Sequence, residues 1–382
     1  MRPLGELTLT CVAPDTVVPP ANGSAARTFG LAAAVRPHVG GVTIECFSSE
    51  PAPAAPPAGL RVVHIPRPTR GAARAAHLLR MLLGPTLGYR FPRPLDGGGL
   101  VQLESPLLFE AARRAGLGPF VLDAHNVYQD MARFPAASLA ERAFYRLTRA
   151  RQARIEHACW AAAAHVLFCS EIDRARAERL APGVATKSTL VPNSVDVTRF
   201  TPRPAAAFAA GGPVVFVGTM RYPPNFFALE EICRAIAPAL PALSFWIVGA
   251  AGPRPSVVPR NVRFLGQVES TATPLAAAQV AIAPVRHGSG TRLKILEYMA
   301  AGVPVVCTAK AAEGLAVTDG RDVVLAETSA ELARAIAALH ADARRCAALG
   351  AAGRALVEAR YDWAAQVPAT LAAYRAALAA AR

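Results

Sequence analysis

Short runs of Val, Ile, Leu and Phe alternate with longer stretches whose apolar residues recur every three or four positions. That alternation predicts strands separated by helices, and so a parallel α/β architecture. In the first half, strands are predicted at Leu7–Ala13, Gly41–Phe47, Arg61–Ile65, Leu100–Glu104, Phe120–His125, Ala164–Ser170 and Lys187–Asn193. Helices are predicted between them at Ala25–Val35, Leu107–Ala115, Leu139–Ala162 and Glu171–Leu180. The second half repeats the pattern, with strand candidates "GPVVFVGT", "LSFWIVGA", "VRFLGQ", "VAIAPV", "VPVVCT" and "DVVLAE". A helix is predicted at Phe226–Leu240, where Leu229, Ile232, Cys233, Ile236 and Leu240 form one apolar stripe.

Two consecutive α/β units of similar size follow from this. The Pro-, Ala- and Gly-rich stretch Val195–Gly212 is the expected linker. The expected domains are 1–200 and 213–358, with a late helix over 359–382. No short-period repeat is visible.

Composition narrows the class. At 382 residues, 53% hydrophobic and 18% charged, the chain is long enough for two cores and too apolar to be disordered. Its longest apolar stretches fall short of a membrane span, and Glu6 breaks the only run resembling a signal-peptide core. A cytoplasmic location is the expectation. Seven scattered cysteines, with no Cys-x-x-Cys pair and no zinc-type spacing, read as buried free thiols.

The formal charge of +14, almost all arginine, has two readings. Compositional bias would scatter arginine without purpose; alternatively the charge attracts anionic partners. Arg67–Arg93 and Glu141–His157 are both basic and partly apolar at helical spacing, which suits a solvated helix face or a peripheral contact with an anionic membrane surface. Nucleic acid is not expected as a partner, because no binding module accompanies the charge.

The candidate chemistry concentrates in "HGSGTRLKILEYMAAGVPVV", His287 to Val306. A strand leads into a turn at Gly288, Ser289 and Gly290, where glycine lets backbone N–H groups approach a ligand. Thr291 is the expected N-cap of a helix running to Ala301, with Gly302 and Pro304 as its stop. A helix start favours a phosphate, and Arg292 and Lys294 add full charges there. Leu293, Leu296 and Ala300 are expected to pack inward, with Thr291, Lys294 and Glu297 on a neighbouring face. Glu297 falls about 9 Å along the axis from Thr291, comparable to the span from a nucleotide's pyrophosphate to its ribose hydroxyls. Glu297 therefore either accepts hydrogen bonds from a ribose or pairs with Lys294 on a solvated face.

With this motif the sequence resembles the retaining group 1 glycosyltransferases of the GT-B fold (the family 4-like bacterial branch). The likeness also runs through "PANGSAARTFGLAAAV", "LDAHNVY", "LVPNSVDVTRFTP", "FVGTMRYPPN", "FWIVGAAGP", "VRFLGQV", "AAEGL" and "ARYDW". The resemblance implies two Rossmann-like domains facing a cleft, a nucleotide-sugar donor held mainly by the second, and a final helix crossing back to the first. It puts Glu297 on the ribose, and Gly266 with Gln267 and Val268 at the nucleobase. It puts Gly23 at the phosphate and transferred sugar, and His125 near the reacting centre. Read without the resemblance, a strand-end histidine can equally be a buried one that only satisfies the backbone.

The sequence also departs from the family pattern. Ser289 stands where the first glutamate of the E-x7-E motif would fall, and the usual Arg and Lys after the second domain's first strand are replaced by "GTMRYPPN", which offers Thr219 and Asn225. The diphosphate is then expected on Arg292 and Lys294, helped by Arg221. Tyr128 takes the place of a common acid. The resemblance implies transfer of a hexosyl unit from a UDP- or GDP-sugar to an acceptor hydroxyl, with retention and without a cofactor or metal, no metal-binding D-x-D motif being present. The acceptor would be a lipid-linked saccharide or a small molecule, in cell-envelope glycan or natural-product biosynthesis. A sugar-nucleotide epimerase and a non-catalytic basic membrane-surface protein are the alternatives.

Overall fold

The structure is a computed structural model that describes residues 3–20, 22–48, 59–66, 89–95, 98–128, 139–288 and 290–380, the side chains of 139–149 excepted. Ser289 and residues 67–88 of the first basic stretch therefore lie outside the described residues. The chain divides into two compact units, Met1–Pro192 with Gln366–Arg382, and Asn193–Ala365.

Unit 1 is built on a seven-stranded sheet. Its strands are β1 (Thr8–Ala13), β2 (Gly41–Ser48), β3 (Arg61–Pro66), β4 (Leu100–Leu103), β5 (Phe120–Ala124), β6 (His165–Phe168) and β7 (Ser188–Leu190), in the order β3-β2-β1-β4-β5-β6-β7. Every pairing is parallel, with Val12 level with both Glu45 and Leu103. β4, β5 and β6 are buried at every position, as expected of strands covered on both faces. Unit 2 carries a six-stranded parallel sheet of β8 (Val214–Val217), β9 (Phe245–Val248), β10 (Val262–Gly266), β11 (Val280–Ala283), β12 (Val305–Cys307) and β13 (Val324–Leu325), in the order β10-β9-β8-β11-β12-β13.

Each sheet has one place where the strand order reverses: between β1 and β4 in unit 1, and between β8 and β11 in unit 2. Connections diverge there, which leaves a crevice at the carboxyl ends of the strands where ligands characteristically bind. In unit 1 that edge holds the start of helix α1 (Gly23–Val35) and the residues just after β4 and β5. In unit 2 it holds the starts of α2 (Pro223–Glu231) and α3 (Leu293–Ala300).

Three expectations need correcting. Val195–Gly212 is not a linker: it belongs to unit 2, because Phe200 and Phe208 are buried in that unit's core and Arg203 donates to the carbonyls of Ala207, Gly211 and Ala276. The chain passes between units at Pro192–Asn193 instead. The final helix, α4 (Trp363–Ala380), belongs to unit 1 only from Gln366 onward, so residues 359–365 stay with unit 2. The helix expected at Phe226–Leu240 starts earlier, at Pro223, and is broken by a π-helical turn at Ile232–Ile236. The wide turn keeps Leu229, Ile232, Cys233 and Ile236 buried, while Leu240 is only partly covered.

All seven cysteines are free and buried. Among the described residues no helix is long and apolar enough to cross a membrane.

Candidate functional site

In unit 1 a charged cluster sits where β1, β4 and β5 end beneath α1. Asn22 caps α1 by accepting from the Ala25 N–H at 2.9 Å, which sets the helix entry and places Ser24, Arg27 and Thr28 along one side of its first turns. Arg27 is buried against Asp123, the one carboxylate in the wholly buried β5: its Nε lies 2.9 Å from Oδ2 and its Nη2 2.7 Å from Oδ1. Thr28 donates to Glu104 at 2.8 Å, and Gln102 donates to the other oxygen of Glu104 at 2.8 Å. Tyr374 of α4 closes the chain, its hydroxyl donating to Gln102 Oε1 at 2.7 Å.

His125 completes the cluster. Its Nε2 lies 2.9 Å from Glu104 Oε2 and 3.3 Å from Asp123 Oδ2, and its Nδ1 lies 2.7 Å from the exposed Ser24 hydroxyl. Burial works against a charged ring, but attraction and hydrogen bonds to Asp123 and Glu104 outweigh it and push His125 up to about 9. The imidazolium that results donates through both nitrogens. Ser24 then accepts from the ring. Two cations and two carboxylates balance, and the cluster ends at the exposed Ser24 hydroxyl.

Glu104, Asp123 and His125 are also close enough to hold a metal ion, with ligand atoms within 4.8 Å of one another. The donor set does not fit one. Arg27 occupies both oxygens of Asp123, and both oxygens of Glu104 are already engaged by Thr28, Gln102 and His125.

In unit 2, β8 and β11 lie side by side, so the loops that leave them meet. Gly288 and Gly290 both have positive φ, +102° and +74°, the left-handed region that glycine adopts without strain. Arg292 folds back into this turn and donates to the carbonyls of Gly290 at 3.0 Å and His287 at 2.9 Å. Arg292, not Thr291, occupies the N-cap position, and no side chain caps α3. Thr291 is taken instead by Asn193, whose amide donates to its Oγ1 at 2.7 Å in a buried contact. The other end of α3 follows expectation: Gly302 at φ +65° closes it with Gly302 N–H to Met299 O and Val303 N–H to Tyr298 O.

Lys294 points across to α2. Its Nζ donates to Asn225 Oδ1 at 2.7 Å and lies 4.1 Å over the Phe216 ring. Glu297 is partly buried and does not form the ion pair with Lys294 that was its alternative reading. Burial raises its carboxyl, opposed by a hydrogen bond from Thr271 and by the charges of Arg199 and Lys294. Ile295, Leu296, Tyr298, Met299 and Ala300 are buried, and Leu293 is only partly so. Gly266 ends β10 at φ +73° with its carbonyl accepting from Gly249 N–H, and Val268 beside it packs partly against the core. Arg221 is exposed, its Nε donating to Ala251 O at 3.3 Å. Gly23 is the exposed first residue of α1.

Residues 212–342 match the family model "Glycosyl transferases group 1". Among solved structures, the sucrose-phosphate synthase of Thermosynechococcus elongatus aligns with a TM-score of 0.70 and 20% identity over 98% of this chain and 100% of that one. HepE from Anabaena, in complex with UDP and glucose, aligns at 0.66 and 16% over 95% and 98%. WaaG, a glycosyltransferase involved in lipopolysaccharide biosynthesis, aligns at 0.65 and 14% over 96% and 98%. The fold is GT-B, and the similarity to group 1 glycosyltransferases lies in residues 212–342 of the second unit. A curated relative, the GDP-mannose-dependent monoacylated alpha-(1-6)-phosphatidylinositol monomannoside mannosyltransferase of Corynebacterium glutamicum, is 30% identical over 198 residues, 45% of this chain. That alignment spans about half of the relative, 52% of its length.

Within the matched residues, Lys294, Glu297, Thr291 and Gly290 come from one continuous segment. Arg221 lies on the surface, and Arg292 is largely spent on its own turn. The partners of these residues were not legible. Only the strand order shows that Arg27, Glu104 and Asp123 meet. Asn225 stood out as a replacement for the usual Arg and Lys, but its bond to Lys294 and that of Asn193 to Thr291 were not legible. Tyr128, where an acid is common, has its backbone N–H bonded at 2.8 Å to Glu156, buried on the helix Leu139–Ala162.

Proposed function

We propose that this protein is a retaining glycosyltransferase that moves a hexosyl unit from a UDP- or GDP-sugar to an acceptor hydroxyl, without a metal ion or other cofactor. The observation that carries the reading is the glycine turn after β11. It presents Gly288, Gly290, Lys294 and Glu297 at the switch point of a group 1 domain. Lys294 and the N–H groups at the start of α3 are assigned to the diphosphate, Glu297 to the ribose, and Gly266 with Val268 to the base. Arg292 holds the turn and adds its charge. His125 and Ser24 are assigned to the transferring sugar, with Gly23 beside them.

Retention follows if both bonds change on one face. The anomeric C–O bond to the diphosphate lengthens to an oxocarbenium-like state, the acceptor oxygen bonds to the same face, and its proton passes to the departing phosphate. Fixed cations and N–H groups lower the barrier by meeting charge as it develops on the leaving group. The similar mannosyltransferase is GDP-mannose-dependent and HepE is in complex with UDP and glucose, which supports a nucleotide diphosphate sugar as donor. A lipid-linked or small-molecule acceptor fits this chemistry, in cell-envelope glycan or natural-product biosynthesis, with the protein in the cytoplasm or at its membrane face.

The test is a panel of UDP-, GDP-, ADP- and dTDP-sugars, measured for binding and then for hydrolysis or transfer. One donor should bind and turn over, and NMR of the product should show the donor's anomeric configuration. Binding of none, or an inverted product, overturns the reading. Conversion of donor to an epimer without acceptor points to the epimerase instead. His125→Ala should keep most donor affinity and lose most turnover.

A further inference from the structure

Only three of the 41 Lys and Arg residues are lysine: Lys187, Lys294 and Lys310. In a chain that otherwise uses arginine for positive charge, each has a visible use. Lys187 donates from one nitrogen to the carbonyls of Ala161 and Ala163, both at 2.8 Å, and Lys310 pairs with Glu313. Lys294 has neither a carboxylate partner nor a carbonyl pair. Its nitrogen is wedged between the Phe216 ring, the Asn225 amide oxygen and Gly218, so close to Gly218 that a Cβ there would lie 3.0 Å from it. Asn225 is itself held by Nδ2 donating to Thr219 O at 3.0 Å, which turns its oxygen toward Lys294. The amide oxygen and the ring are both uncharged, so neither supplies the full negative charge that would hold an ammonium protonated against burial and a nearby cation. A guanidinium could not change form at all near neutrality.

We propose that Lys294 gives up its proton in the unliganded site and regains it when a donor's diphosphate arrives, so that donor binding is coupled to proton uptake. The inference rests on the reading of this segment as the diphosphate site. Burial first, then the neighbouring Arg292 cation, bring the Lys294 ammonium down to about 7, with Glu297 opposing them. The other groups facing this corner are Tyr222 at the head of α2, Arg199 against Glu297, and His287, whose ring meets Phe227 edge-on at 5.9 Å. A diphosphate favours the charged form. Donor affinity should therefore be flat below about pH 7 and fall, by up to about tenfold per pH unit, as the pH rises above it.

Calorimetry with intact UDP-glucose and GDP-mannose, whose diphosphates do not titrate near neutrality, reads the coupling directly. At about pH 7.5, titrations in two buffers of different ionisation enthalpy should report roughly half a proton or more taken up per donor bound. Lys294→Arg should abolish the uptake, and His287→Gln should retain it. Because there are three lysines, 13C-lysine NMR of the unliganded protein gives a Lys294 signal identifiable by its loss in Lys294→Met; it should titrate near neutrality and shift upward with donor. Equal heats in both buffers, a Lys294 signal titrating near about 10.4, or an uptake that follows His287 each overturn the inference while donor binding stands. A chain that binds neither nucleotide sugar takes down the diphosphate site and the inference with it.

Discussion

At the residue scale the decisive balance is between burial and charge, and the two clusters resolve it in opposite senses. His125 is held charged because Asp123 and Glu104 lie within 3.3 Å, whereas Lys294 has no carboxylate partner and is pulled toward neutrality. The His125 contribution to stability has a definite sign. A folded-state value of about 9 against an ordinary 6.5 means that the stabilisation is complete below about 6.5 and is lost as the pH rises through about 9. Urea melts between those limits should show stability falling, and His125→Gln should flatten the decline; an equal slope in the variant places the titration elsewhere. Asp123→Asn removes the partner of both Arg27 and His125. It should cost about 3–5 kcal/mol in the same melts, the scale for breaking a buried pair by deleting one member. In the second unit, Glu297→Ala should weaken donor binding about tenfold or more, the scale of lost hydrogen bonds to a charged group. Unchanged affinity removes Glu297 from the ribose.

At the element scale, α3 is both a core helix and the carrier of the proposed donor contacts. Tyr298, fully buried on its inner side, accepts the Val217 N–H at 2.7 Å and so pins the last residue of β8 to the helix that bears Lys294 and Glu297. Tyr298→Phe should cost about 1–3 kcal/mol in urea melts, because the N–H is left buried without a partner. Gly218 is held just as tightly: a Cβ there would stand 2.7 Å from the Asn225 amide nitrogen. The strand-helix-strand order of this region was legible, since Val305–Cys307 and the Gly302 stop lie where apolar runs and punctuation put them. The start of α3 was not. Local preference favours Thr291 as a cap, and the buried bond from Asn193, 98 residues away, overrides it.

At the scale of the whole molecule, the last helix returns to the unit in which the chain began. Tyr374 is buried and its bond to Gln102 joins the carboxyl-terminal segment to the Glu104 cluster of unit 1. Tyr374→Phe should therefore destabilise unit 1 by about 1–2 kcal/mol and lower protection from proteolysis in that unit. Equal proteolysis in both units would contradict this. The sequence by itself determined the parallel α/β class, the strand positions, the double-glycine turn and the helix that follows it, because periodicity and glycine act over a few residues. Tertiary structure alone decided the rest: that Arg27, Glu104, Asp123 and His125 neutralise one another, that Lys294 meets Asn225 and Phe216, and that Val195–Gly212 folds into the second core. Those outcomes depend on which strands become neighbours and on how much water each charge loses, and neither quantity is carried by any short stretch of chain.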